Sequence, residues 1–216
     1  MLPREARWIG DALRALPPER LYPLVNLGSS TGEFRTRHQP WIHAALFADA
    51  RGPVVHVDLK DADGVDVAGD LADERVLAAV RARAPRSALC CNLLEHVPAG
   101  EREAYCARVA GLVAPDGFLV VSVPRAFPYH PDPVDTGLRP SVDEVAAMFA
   151  GFRVRAGEEV EAGRLWGMLR GNLRRLVTKS AGVATGQVRD AGRLRDWLVP
   201  WAWRPFRVTC VVLERA

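Results

Sequence analysis

The sequence predicts an α/β fold: a mostly parallel, seven-stranded sheet with helices on both faces, an antiparallel edge strand and a helical insertion before the last strand. Three observations lead there. Short Val- and Leu-rich runs alternate with helix-patterned stretches, as strands buried on both faces alternate with crossover helices. Small or polar residues follow most of the strand-like runs, where a parallel sheet passes into its loops. Finally, two Val- and Phe-rich segments near the end are separated by residues 161–205, a 45-residue stretch too long for a plain loop.

Each element has its own signal. Arg4 to Leu16 puts Trp8, Leu13 and Leu16 on one side of a helix that Pro17-Pro18 stops. Pro23 to Leu27 is the first parallel strand, ending at Gly28. Gln39-Pro40 opens a helix through about Ala48, with proline in the first turn, where its missing N–H costs nothing. Pro53 to Asp58 is the second strand, and Gly64 to Ala68 a short edge strand running into Gly69-Asp70-Leu71. Asp73 to Ala82 is helical, Ala88 to Asn92 a buried strand, and Glu101 to Val113 the helix after it. Pro115-Asp116-Gly117 turns the chain into Phe118 to Val123. Ser141 and Glu144 have capping-box spacing and open a helix to Ala150. Phe152 to Val160 and Phe206 to Glu214 are the closing strands, able to pair antiparallel.

With 216 residues, 49% hydrophobic and 25% charged, the chain is expected to form one domain, residues 1–216, with 161–205 as a basic, Trp-rich lid or substrate-binding insertion. No apolar run approaches the roughly 18 residues that cross a bilayer, and the start lacks an apolar signal core, so the expectation is a cytoplasmic protein without a membrane span. Cations outnumber anions 29 to 26, and all but Lys60 and Lys179 are arginine. A net charge of +3 is too small to argue for nucleic acid. Cys90, Cys91, Cys106 and Cys210 form no C-x-x-C pair and read as small buried hydrophobes.

In an open α/β sheet a ligand lies beyond the carboxyl ends of the strands. Gly28-Ser29-Ser30-Thr31-Gly32-Glu33 follows the first strand, with small residues that let backbone turn sharply and approach a ligand. Asp58 follows the second, 30 positions past Gly28, and suits a ribose diol. Asp70, placed to hold an adenine amino group, follows the third strand, and Asn92 with Glu95-His96 the fourth. That order is the one a bound adenosine compound needs.

Asn26-Leu27-Gly28-Ser29-Ser30-Thr31-Gly32, Gly64-Val65-Asp66-Val67-Ala68-Gly69-Asp70-Leu71, Asn92-Leu93-Leu94-Glu95-His96-Val97 and Ala114-Pro115-Asp116-Gly117 resemble the successive motifs of class I S-adenosylmethionine-dependent methyltransferases. The similarity is closest to the "type 11" group of small bacterial enzymes and spans roughly Leu21 to Phe149 plus the closing strands. The resemblance implies a Rossmann-like fold and S-adenosyl-L-methionine as cofactor. Gly28, Ser29, Ser30 and Gly32 would meet its methionine part, Asp58 its ribose, Asp70 with Leu71 its adenine, and Asn92 the wall beside the sulfonium. Two positions depart from the pattern. Ser30 replaces the middle glycine of G-x-G-x-G, and Ser87-Ala88 replaces the acid that often begins the fourth strand.

Methyl transfer to a hydroxyl needs a base. The loop from Pro124 to Pro140, stiffened by five prolines, offers His130 as general base, with Asp135 and Arg139 beside it. Asp132 or Asp135 could orient the imidazole; alternatively Asp135 and Arg139 form an ion pair that only fixes the loop. His96 could reach the same cleft. A divalent cation on His130, Asp132 and Asp135 is disfavoured by the intervening prolines, and no metal is expected.

The insertion carries nine cationic and three anionic side chains, a net of +6, with Leu165, Leu169, Leu173 and Leu176 at helical spacing and Trp197, Trp201 and Trp203 beyond. It reads as a helical pair over the sheet edge, a lid for an anionic or sugar-containing acceptor, or a membrane-surface contact. The expected activity is O-methylation of a small molecule, saccharide or glycoconjugate. Other readings are an inactive S-adenosylmethionine-binding protein and a basic nucleic-acid module; nucleic acid is not the expected partner, and the oligomeric state is left open.

Overall fold

A computed structural model describes residues 1–129, 134–164, 201 and 203–216. Apolar runs become seven strands: β1 (Leu24–Leu27), β2 (Val54–Asp58), β3 (Val67–Ala68), β4 (Ser87–Cys91), β5 (Phe118–Ala126), β6 (Phe152–Arg164) and β7 (Pro205–Arg215). The helices are α1 (Pro3–Ala15), α2 (Pro18–Leu21), α3 (Pro40–Leu46), α4 (Glu74–Arg81), α5 (Arg102–Ala110) and α6 (Val142–Ala147). Asp73 caps α4 by accepting from the Arg75 N–H, and Ser141 with Glu144 closes the expected capping box on α6.

The sheet order is β3-β2-β1-β4-β5-β7-β6. Strands β1 to β5 are mutually parallel, and β7 runs antiparallel to both β5 and the edge strand β6. The predicted Rossmann-like sheet is therefore present, with β7 as its reversed strand. The order turns between β1 and β4: crossovers lead outward to β2 and β3 on one side and to β4 and β5 on the other. That switch point opens a crevice at the carboxyl ends of β1 and β4.

Both faces are covered, which is why the strands read as continuous apolar runs. Val25, Leu27, Val57, Cys90 and Val121 pack against Leu77 and Val80 of α4, Val109 of α5 and Val145 of α6. Leu24, Leu89, Val120 and Val212 face Ile9 and Leu13 of α1 and Leu46 of α3. The apolar side of α1 thus lies on the sheet, which brings the start of that helix over the crevice.

Strand β6 continues past Val160 to Arg164, and Pro205 already belongs to β7, with Gly163 opposite Phe206. Glu161 to Arg164, assigned to the insertion on sequence, are strand because β7 offers them a pairing edge. The remaining expectations for the insertion, its leucine stripe and its lid or membrane role, fall on residues 165–200 and 202, outside the described residues. No helix among the described residues is long and apolar enough to cross a membrane.

Candidate functional site

A cleft of about 460 Å³ opens at the carboxyl ends of the central strands. Gly28, Ser29 and Ser30 after β1, Asp58 at the end of β2, and Asn92, Leu93 and His96 after β4 line it. Phe34, Ile42, Leu46 and Phe47 form an apolar side, and Pro124, Phe127 and Val208 another.

The turn after β1 is built by backbone constraints. Gly28 has φ +63°, and a Cβ there would lie 2.4 Å from the Leu93 side chain. Ser30, the residue that departs from the family pattern, takes φ +57°, the left-handed conformation that glycine adopts at least cost. Two partners hold it there. Its N–H donates to Asp58 Oδ2 at 2.7 Å, and its carbonyl accepts from Arg35 Nη1 at 2.5 Å. The other Asp58 oxygen accepts from the Lys60 N–H at 3.1 Å. The carboxylate expected on sequence to meet a ribose is thus the clamp of the serine turn.

Arg35 is 5% exposed and binds three carbonyl oxygens, those of Ser29, Ser30 and Gly64. Burial lowers its pKa from the usual value, opposed by the charges of Asp66, Asp58 and Asp63. It belongs to a wide π-helical turn, Phe34–His38, that the sequence pattern does not announce.

At the end of β4, Asn92 takes φ +52°, tolerable for asparagine, and its Nδ2 donates to Glu5 Oε1 at 2.7 Å. Ser122 Oγ donates to the same oxygen at 2.7 Å. Glu5, from α1, is therefore fixed in the wall of the cleft, where no sequence signal placed it.

Beside it lies a second group of titratable residues. His96 Nδ1 is 2.5 Å from the Val134 carbonyl, so that nitrogen carries the proton and, in the neutral ring, Nε2 carries the lone pair. Nε2 is 3.9 Å from Oε1 of Glu95. Glu95 is fully buried with neither carboxyl oxygen hydrogen-bonded, and burial pushes its pKa up to about 8. Asp135 and Arg139, expected near the chemistry, bind each other: Arg139 Nη2 reaches Oδ2 at 2.6 Å and Nη1 reaches Oδ1 at 3.0 Å. Neither lines the cleft. The Asp135 Oδ1 also accepts from the Gly137 N–H at 2.8 Å, so the ion pair named as the alternative on sequence is formed.

Of the expected cofactor residues, Gly28, Ser29, Ser30, Asp58 and Asn92 come together at the cleft, whereas Gly32, Asp70 and Leu71 do not line it. Gly32 instead packs backbone to backbone against Asp63 and Gly64, where an added Cβ would sit 3.2 Å from the Asp63 carbonyl. Asp70 accepts from the Ala72 N–H at 2.9 Å as a turn residue, and Leu71 is core. Strand β3 is the outermost of its side, so its loop starts two strands from the switch point. His130 and Asp132 lie outside the described residues.

Solved structures share this topology. A cyclopropane synthase from Mycobacterium tuberculosis superposes with a TM-score of 0.56 at 14% identity, over 96% of this chain and 83% of that one. A SAM-dependent methyltransferase from Archaeoglobus fulgidus gives 0.53 at 10% identity, over 97% and 94%. The chain has the class I methyltransferase fold. The [4+2]-cyclase SpnF also has this fold, with a TM-score of 0.52 at 16% identity over 97% of this chain and 80% of that one, so the methyltransferase fold by itself does not name the reaction. No protein-family model matches the chain, and no curated protein does.

Proposed function

We propose that the chain is an S-adenosylmethionine-dependent methyltransferase acting on a small-molecule acceptor. The observation that carries this reading is the meeting of the Gly28 turn, Asp58 and Asn92 in one cleft at the switch point. A cleft of about 460 Å³ with a carboxylate at one end and apolar walls fits a nucleoside with a polar tail. The bound cofactor supplies an electrophilic methyl group on a positively charged sulfur.

The chain's own residues then have separate tasks. Asp58, fixed by the Ser30 and Lys60 N–H groups, keeps oxygen lone pairs for a ribose diol and does not have to reorganise to use them. The Gly28 turn brings backbone close to the ligand without a side chain in the way. Asn92, held by Glu5, forms the wall on the opposite side. Phe127 and Pro124 help exclude water from that end.

For the acceptor, a hydroxyl of a small molecule, saccharide or glycoconjugate remains our reading, with an imidazole taking its proton. His130 keeps that role as a proposal from sequence. Among the described residues His96 is the imidazole that lines the cleft, and its proton on Nδ1 favours Nε2 as the accepting atom. Asp135 and Arg139 are assigned to loop anchoring.

Calorimetric titration with S-adenosylhomocysteine tests the core of the reading: micromolar binding, abolished by Asp58→Ala, supports it, and no binding by the wild-type protein removes it. Turnover separates a catalyst from an inactive binder. His96→Ala and His130→Ala compared in the same assay show which imidazole is the base, by a loss of rate without loss of cofactor affinity.

A further inference from the structure

An acidic residue in the first turn of a helix ordinarily sits in solvent, against the positive end of the helix. Glu5 of α1 keeps the contact with the helix start, as the capping-box partner of the Leu2 N–H, but is out of solvent. It is 1% exposed and lines the cleft. Each of its oxygens is met by an N–H group, Oε1 by Asn92 Nδ2 at 2.7 Å and Oε2 by the Leu2 backbone at 2.9 Å, with the Ser122 hydroxyl adding a third bond of 2.7 Å. Amide and backbone N–H groups only donate, so this cage suits an ionised, acceptor-only carboxylate. No arginine or lysine pairs with it among the described residues, and the described lining of the cleft contains neither residue type. The positive groups near it are the start of α1 and the Met1 amino terminus, which lines the same cleft without bonding to Glu5, so the buried carboxylate is only partly compensated and a positively charged ligand would complete the offset.

The two acids lining the cleft come from different elements, Asp58 from a strand and Glu5 from α1. Asp58 ends β2, whereas Glu5 is held by Asn92 after β4 and by Ser122 within β5. Asp58 and Glu5 thus mark the β2 and β4 sides of one cleft, so a ligand whose diol bound Asp58 would have its other end within the half of the cleft that Glu5 lines.

We propose that Glu5 is the counter-charge of the cleft and makes it prefer a ligand carrying positive charge at that end: the sulfonium of S-adenosylmethionine over the neutral thioether of S-adenosylhomocysteine. The inference rests on the cofactor reading above. In the transfer the acceptor's lone pair forms the new bond to the methyl carbon, the sulfur keeps the electron pair of the broken bond and becomes neutral, and the acceptor's proton passes to the base. Glu5 thus holds the cofactor before reaction and loses its hold on the product after it.

The test is calorimetric titration of the full chain and its Glu5→Gln variant with three ligands: S-adenosylmethionine, S-adenosylhomocysteine, and sinefungin, the unreactive analogue with a protonated amine near the sulfonium position. Glu5→Gln is expected to weaken the two cationic ligands by about tenfold or more and the thioether by less than about twofold. Glu5→Asp, which keeps the charge, is expected to retain the preference. Equal losses on all three ligands would mean that Glu5 only anchors α1, and would overturn the inference while leaving the cofactor reading intact. A wild-type protein that binds sinefungin no better than the thioether overturns it without any variant. Wild-type protein that binds none of the three instead refutes the cofactor reading itself, and the inference with it.

Discussion

Arg35 donates from Nη1 to the Ser30 carbonyl at 2.5 Å, so a buried guanidinium from the loop after β1 locks the same serine that Asp58 holds from the other side. Removing the guanidinium takes a donor from three carbonyl oxygens, of which that of Ser30 keeps the Ser29 hydroxyl at 3.0 Å. Arg35→Ala is expected to cost roughly 2–4 kcal/mol of stability and to weaken S-adenosylhomocysteine binding by about tenfold or more. Arg35→Lys should recover only part of both, because an ammonium cannot span three acceptors as a planar fork does. Urea melts and calorimetry on the two variants check this; wild-type affinity in Arg35→Ala would show that the turn keeps its shape alone.

Ser30 raises a separate expectation. Its φ of +57° strains any residue with a Cβ, and the cost is met by the Asp58 and Arg35 contacts, which are made by backbone atoms and so survive substitution. Ser30→Gly is expected to keep cofactor affinity within about twofold and to change stability by no more than about 1 kcal/mol, whereas Ser30→Val should lose about 1–3 kcal/mol. Thermal melts of the pair decide it. The departure from the glycine pattern is then a conformational cost that the neighbours carry, with no loss of the turn.

How far the sequence shows this site depends on how local each signal is. The strands were legible because burial on both faces leaves uninterrupted apolar runs, and Asp58 was legible because it ends such a run. Glu5 was not, since its partners Asn92 and Ser122 are 87 and 117 positions away and nothing in the first turn of α1 distinguishes it from a solvated acid. Arg35 stands near Arg37 and His38, so its burial depends on a π-helical turn with no compositional signature. Asp70 and Leu71 were placed after a strand correctly, but that strand has two residues and lies at the far edge, a matter of sheet order that spacing does not encode.

The Asp135 and Arg139 pair makes a quantitative prediction. The Asp135 side chain is fully buried and that of Arg139 is 19% exposed, so cutting one partner leaves a charge in poor solvent. Arg139→Ala and Asp135→Asn are each expected to cost about 3 kcal/mol, with the double substitution costing clearly less than their sum. A double-mutant cycle by urea unfolding measures the coupling. Additive losses would indicate that the two side chains stabilise the fold independently of one another.

Glu95 sets the response to pH. With its pKa raised to about 8 in the folded protein against an ordinary value of 4.5, the folded state keeps a proton that the unfolded chain releases between those two pH values. The folded state therefore binds more protons in that window, and stability must fall as pH rises from 4.5 toward 8, by roughly 3–5 kcal/mol in all, and level off above it. His56 acts in the opposite sense. Its burial, aided by the charge of Arg35, lowers its pKa from 6.5 to about 4, so the unfolded chain binds the extra proton and stability is lost as pH falls from 6.5 to 4. Between pH 4.5 and 6.5 the two one-proton slopes oppose and largely cancel, and above 6.5 the loss from Glu95 stands alone. Glu95→Gln has no proton to release, so urea unfolding at pH 5, 6.5 and 8 should give it a lead over the wild-type protein that grows with pH, moving the stability maximum to more alkaline solution. Parallel curves for the two proteins would show that Glu95 is already ionised in the fold, with its charge met by a partner.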